Sequence, residues 1–214
     1  MTNTLSFTYL FDPMCGWCYG ASPTLEALKE RGGYRVDLVP TGLFADEGAF
    51  AMNDAFAAHA WDADQRIARL SGQPFSEAYR RNVLGNRKAR VDSGSTTLAL
   101  TAVRLTAPER ELEALAAIQR SRYVDGRDNG DPAVIADVLE ALTLKDVALR
   151  FSAPDEILLS ANRARIESGR AAMRHFGARG VPALIAAQGQ NRRLVDANTL
   201  FGGIEALLAS LAAV

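Results

Sequence analysis

The period of apolar and polar positions switches repeatedly between strand and helix along the chain. Residues 5–11, LSFTYLF, are dense in aromatic and β-branched side chains, which suits a buried strand. Asp12-Pro13 ends it, since proline offers no ladder donor and favours a turn. A helix is expected from Cys15 to about Lys29, closed by Gly32-Gly33. Tyr34, Val36 and Leu38 then alternate with Arg35, Asp37 and Val39, the period of a second strand. A β-α-β opening favours a parallel pair joined by a crossover helix.

Residues 46–179 follow another rule, being rich in Ala, Leu, Arg and Glu with little β-branched density. Breaks at Ser71-Gly72, Gly85-Asn86, Ala107-Pro108, Asn129-Gly130 and Ala153-Pro154 divide them into several helices. The longest is expected over 155–176, where Leu159, Ile166, Met173 and Phe176 make an apolar stripe that core packing explains. The strand period returns in VPALIAA and RRLVDA, two short strands around a Gln188-Gly189 turn. TLFGGIEALLASLAAV closes the chain as a helix, bent at Gly202-Gly203. The expected fold class is α/β, with 1–45 and 180–214 forming one discontinuous domain and 46–179 a large all-helical insertion.

Composition narrows the function. The chain has 214 residues, 48% hydrophobic and 23% charged, ordinary for a soluble globular protein. Lys plus Arg number 24 against 25 for Asp plus Glu, so the net charge is −1 and no basic excess points to nucleic acid. The start, MTNTLSFTYLFDPMC, lacks the basic-then-apolar pattern of a secretory leader, and no stretch has the roughly 20 apolar residues of a membrane span. A cytoplasmic location is expected. There a permanent structural disulfide is uncommon, and a close cysteine pair is read as catalytic, redox-sensing or metal-binding. Neither GxxxxGK[ST] nor GxGxxG after a strand is present.

Both cysteines fall in DPMCGWCYG. A helix N-terminus favours an anion, so Cys15 at that place is expected to be an exposed nucleophilic thiolate. Cys18, on the same helix face one turn in, can attack a mixed disulfide on Cys15 and release the partner. Gly16 and Trp17 would set how strained, and so how oxidising, the closed disulfide is. Two other readings stand beside this one. A metal site would have to recruit Cys15, Cys18, His59 and His175, which have no finger-like spacing. The pair could also be two small core residues. The strand-turn-CxxC-helix context argues against both.

DPMCGWCYG resembles the active-site segment of the DsbA family within the thioredoxin superfamily, most closely its cytosolic, FrnE-like branch. The resemblance covers the β-α-β start, the helical insertion, and GARGVPALIA with the strand and helix after it. It implies a thioredoxin-like fold and a cis-proline at Val181-Pro182, facing the dithiol and offering the Val181 backbone to an extended substrate. It also matches Pro23 to the proline that kinks the active-site helix, and that residue should free the Tyr19 carbonyl. Two departures matter. Tyr9 stands where many relatives carry a buried carboxylate, while Asp12 is expected to shape the Asp-Pro turn. The Gly-Trp dipeptide does not tell oxidant from isomerase or reductase, though it is similar to that of some disulfide isomerases.

Other residues admit two readings each. Trp17 either packs against substrate or caps its helix. His59 could line the groove from the insertion, but a lone histidine is by default structural. His175 lies off its helix stripe and is expected at the surface. PTGLFADEG either shapes the substrate rim or simply crosses between domains. The basic run GNRKAR could steer an anion such as glutathione, but a solvated loop explains it.

The expected function is thiol–disulfide oxidoreductase. Cys15 is the nucleophile and Cys18 the resolving thiol; Gly16, Trp17, Val181 and Pro182 hold substrate, and no metal or organic cofactor is needed. Substrates would be protein thiols and disulfides or glutathione, with a thioredoxin-type electron partner and no nucleic acid or membrane. The rivals are a glutathione-dependent isomerase or transferase of the kappa or chromene-carboxylate type, and a redox-sensing, chaperone-like binding module.

Overall fold

The computed structural model describes residues 5–212. Residues 1–4, read above for a leader, and 213–214, at the end of the expected last helix, lie outside them. Strand β1 (Ser6–Phe11) is followed by helix α1 (Gly16–Arg31) and strand β2 (Arg35–Pro40). The two strands are parallel, Ser6 opposite Arg35 and Phe11 opposite Pro40, as a β-α-β crossover requires. Near the C-terminus β5 (Ala183–Gln188) pairs antiparallel with β1, and β6 (Asn191–Leu194) antiparallel with β5. The sheet order is therefore β2-β1-β5-β6, with β1 central. Helix α9 (Gly203–Ala212) follows a short 3-10 turn at Ala197–Phe201, and the bend falls at Gly202-Gly203.

Between β2 and β5 the chain is mostly helical: α2 (Asp54–Ser71), α3 (Glu77–Tyr79) running into a π-helical turn (Arg80–Leu84), α4 (Gly94–Thr106), α5 (Glu111–Tyr123), α6 (Pro132–Ala141), α7 (Lys145–Ser152) and α8 (Glu156–Phe176). One short antiparallel ladder joins this run, β3 (Phe50–Ala51) with β4 (Arg90–Val91). Their starts are capped by residues suited to the task. Asn53 accepts from the Phe56 N–H at 2.9 Å, and Asp155 from the Leu158 N–H at 2.7 Å.

Alternate side chains of β1 enter different cores. Phe7, Tyr9 and Phe11 join α1, α4 and α5, whereas Leu10 joins Ala183 and Ile185 beneath Met173 and Phe176 of α8. The last helix of the expected insertion therefore covers one face of the sheet. Its expected stripe holds at Ile166, Met173 and Phe176 and shifts by one residue at the start, where Leu158 is fully buried and Leu159 only half so. Gly169 lies against the Pro40 carbonyl, where an added Cβ would stand 2.3 Å away, and this lets α8 close on β2. No helix among the described residues is long and apolar enough to cross a membrane.

Candidate active site

The end of β1 is tied down before the first cysteine. Asp12 is fully buried; its Oδ1 accepts from the Met14 N–H at 2.9 Å. Its Oδ2 accepts from the Phe44 N–H at 3.1 Å and the Ser93 hydroxyl at 2.7 Å. Asp12 thus shapes the turn, as expected, and also anchors the PTGLFADEG loop and the start of α4. Burial pushes its carboxyl up, against the pull of those hydrogen bonds.

The turn delivers Cys15 to the N-cap of α1, in extended conformation. Cys15 keeps 7% of its surface, so it is more covered than the exposed nucleophile expected from sequence. The cover is the Val181 loop: the Cys15 thiol donates to the Val181 carbonyl at 3.6 Å. Cys18 lies behind it with 1% exposed, and both cysteines are free thiols. Burial, then the neighbouring Cys15, pushes the Cys18 thiol up.

Pro23 sits within α1 and removes the N–H that would serve the Tyr19 carbonyl. That carbonyl accepts instead from the Ser22 hydroxyl at 2.8 Å and from Gln73 Nε2 at 3.5 Å. Tyr9 finds a different use from a carboxylate. Its hydroxyl donates to the Cys18 carbonyl at 3.2 Å, and burial pushes its ionisation well up.

The Val181-Pro182 peptide is cis. Trp17, Arg179, Val181, Pro182, Asn198 and Phe201 line an open groove of about 470 Å³ beside it. Trp17 meets Phe201 edge-on at 5.4 Å, and the Arg66 guanidinium lies 5.8 Å from its ring centroid. The fold thus brings Cys15, Trp17, Val181 and Pro182 to one place. Gly16 turns the other way, towards α2, where an added Cβ would stand 2.4 Å from Asp64 Oδ1. Gly16 is accordingly a helix-packing contact and not part of the groove wall.

The histidines are elsewhere. His59 and His175 are both exposed, and among the described residues no three His, Cys, Asp or Glu side chains are grouped to hold a metal ion. In the basic run, Arg87 is taken up by Asp54 at 2.5 Å. Sequence reading missed a buried polar cluster under the CxxC turn. The Tyr79 hydroxyl donates to Asp64 Oδ2 at 3.0 Å, and the Tyr123 hydroxyl to the Met14 carbonyl at 2.7 Å. Arg122, 2% exposed, stacks over Tyr79 at 5.6 Å. These residues carry no local motif; only folding assembles them.

Comparison with known proteins agrees with this geometry. The chain is similar to the cytosolic disulfide reductase DsbM from Pseudomonas aeruginosa, at 31% identity over 97% of each chain and a TM-score of 0.85. The structure of that protein with glutathione matches at 32% identity, 97% of each chain and a TM-score of 0.83. A provisionally named protein disulfide isomerase from Nitrosomonas europaea matches at 25% identity, over 98% of this chain and 96% of its own, with a TM-score of 0.77. No family model and no curated protein sequence matches. The sequence resemblance, the thioredoxin-like sheet with its CxxC turn and cis-proline, and the identity to DsbM agree: the chain belongs to the DsbA family of thiol–disulfide oxidoreductases.

Proposed function

We propose that this enzyme reduces disulfides in the cytoplasm, with Cys15 as nucleophile, Cys18 as resolving thiol and glutathione as the source of electrons. The observation that carries the reading is the Cys15 thiol at a helix N-terminus, 3.6 Å from the Val181 carbonyl, with Cys18 buried behind it. The Cys15 thiolate attacks one sulfur of the substrate disulfide. That S–S bond breaks, a mixed disulfide forms, and the departing thiolate takes a proton from solvent. Cys18 then gives up its proton and attacks Cys15 Sγ, which releases the second substrate thiol and leaves the Cys15–Cys18 disulfide. Two glutathione molecules return the enzyme to the dithiol and become one glutathione disulfide, so two electrons enter and two leave.

The groove beside Pro182 suits an extended chain, and the Val181 backbone beside it offers pairing that tolerates many sequences. Trp17 gives that chain an aromatic wall, and Arg66 and Arg179 supply positive charge for an anionic thiol such as glutathione. The cycle needs no resident metal or organic group. The cytoplasmic location and glutathione follow the descriptions of DsbM as a cytosolic disulfide reductase and of its structure with glutathione.

Single replacements test the two roles. Cys15→Ser should bring reduction of a model disulfide to background. Cys18→Ser should still attack but stop at a mixed disulfide, visible as a stable adduct mass. Full turnover by either variant would contradict the assignment.

A further inference from the structure

Asp64 belongs to α2, far in sequence from the dithiol, yet it reaches the CxxC turn. It keeps 4% of its surface. Its Oδ1 stands 2.4 Å from where a Gly16 Cβ would be, which puts this oxygen against the backbone one residue from Cys15. Its Oδ2 is held at 3.0 Å by the Tyr79 hydroxyl. The titratable and charged groups that face it are Tyr79 of α3 and Arg122 of α5, with Tyr123 of α5 lying near both Asp64 and Cys15. Arg122 is shared: its Nη1 donates to Asn129 Oδ1 at 3.2 Å and lies 3.7 Å from Asp128 Oδ1. Asp64 is thus only partly compensated.

We infer that Asp64 is a positioning residue for the dithiol, packing under Gly16 and placing a titratable charge beside Cys15. Ionised, it disfavours the Cys15 thiolate and drives the couple towards the disulfide, which makes the enzyme a stronger reductant. Burial outweighs Tyr79 and Arg122 and pushes the Asp64 carboxyl up to about 7, so the charge changes within the working range of a cytoplasmic enzyme. The helical run between β2 and β5 thereby acts on the redox centre through one residue. This inference rests on Cys15 being the nucleophile.

The test compares the wild type with Asp64→Asn, which keeps an acceptor for Tyr79 and removes the charge. Each is equilibrated in glutathione buffers, where protein disulfide plus two glutathiones gives protein dithiol plus glutathione disulfide. The dithiol-to-disulfide ratios should agree near about pH 5.5, where Asp64 is protonated, and at about pH 8.5 the variant should be more reduced by about threefold or more. Equal ratios at both pH values, or the same offset at both, would overturn the inference and leave the dithiol reading intact. A wild type that forms no Cys15–Cys18 disulfide would overturn both. A second measurement needs no variant. By linkage, the Asp64 carboxyl followed by carbon NMR should titrate at lower pH in the oxidised wild type than in the reduced one. Identical titrations in the two states would also overturn the inference.

Discussion

Tyr9 shows how a single side chain can be reassigned within a shared fold. It is fully buried on the central strand, and its hydroxyl reaches the Cys18 carbonyl at 3.2 Å, so it steadies the second cysteine's backbone and lies beside the dithiol. Tyr9→Phe should therefore cost about 0.5–1.5 kcal/mol of stability, the usual worth of one hydrogen bond. Denaturant unfolding would measure it, and an unchanged midpoint would show the bond contributes nothing. The residues legible beforehand were those whose chemistry is local in sequence. Cys15, Trp17 and Cys18 are neighbours, and Pro23 announces a free carbonyl four residues back. Asp64, Tyr79, Arg122 and Tyr123 were not legible, because each looks like an ordinary helix residue until distant helices meet. The packing of Gly16 on α2 was not legible for the same reason: its small size serves a partner the motif does not mention.

At the scale of elements, α1 and α2 meet along a seam of glycines one helical turn apart. Gly16 lies under Asp64, and a Cβ at Gly20 would come within 2.4 Å of Ile67 Cγ2. Ile67 is 1% exposed and β-branched, so it has little room to yield. Gly20→Ala gains about 1 kcal/mol of helix propensity. Overpacking against Ile67 costs about 1–3 kcal/mol, so the expected result is a net loss of stability, read by urea unfolding. A stabilised variant would mean the seam is looser than described. Asp155→Ala should cost about 1 kcal/mol through the lost cap on α8, measured the same way. Helix and strand order was largely readable from the sequence because Gly and Pro mark the breaks. The two-residue β3–β4 ladder was not, since Phe50–Ala51 and Arg90–Val91 carry no strand period at that length. On α8 only the first stripe position was misjudged, Leu158 facing the core in place of Leu159, while Ile166 is buried and Met173 and Phe176 lie on the sheet.

Across the whole molecule, three buried carboxyls share a direction. Burial pushes Asp12, Asp64 and Glu111 up, Asp64 to about 7. An unfolded aspartate titrates near about 3.9, so for Asp64 the native state binds the extra proton between about pH 4 and about pH 7. Stability should therefore fall as pH rises through that window, by a few kcal/mol on the order-of-magnitude scale of such shifts, and level off above it. Unfolding midpoints from acid to neutral pH check this, and Asp64→Asn should flatten the slope; stability rising steadily across the window would contradict the sign. The sheet holds Cys15 and Pro182 together through β1 and β5, while the helices between β2 and β5 bring Asp64 beneath the turn. The most direct test of the central claim is the redox equilibrium of Cys15 and Cys18 in graded glutathione buffers, read by alkylation and mass. The account predicts one reversible two-electron transition, with a midpoint nearer the about −270 mV of thioredoxin than the about −120 mV of periplasmic DsbA. Failure to form an intramolecular disulfide at any poise would contradict it.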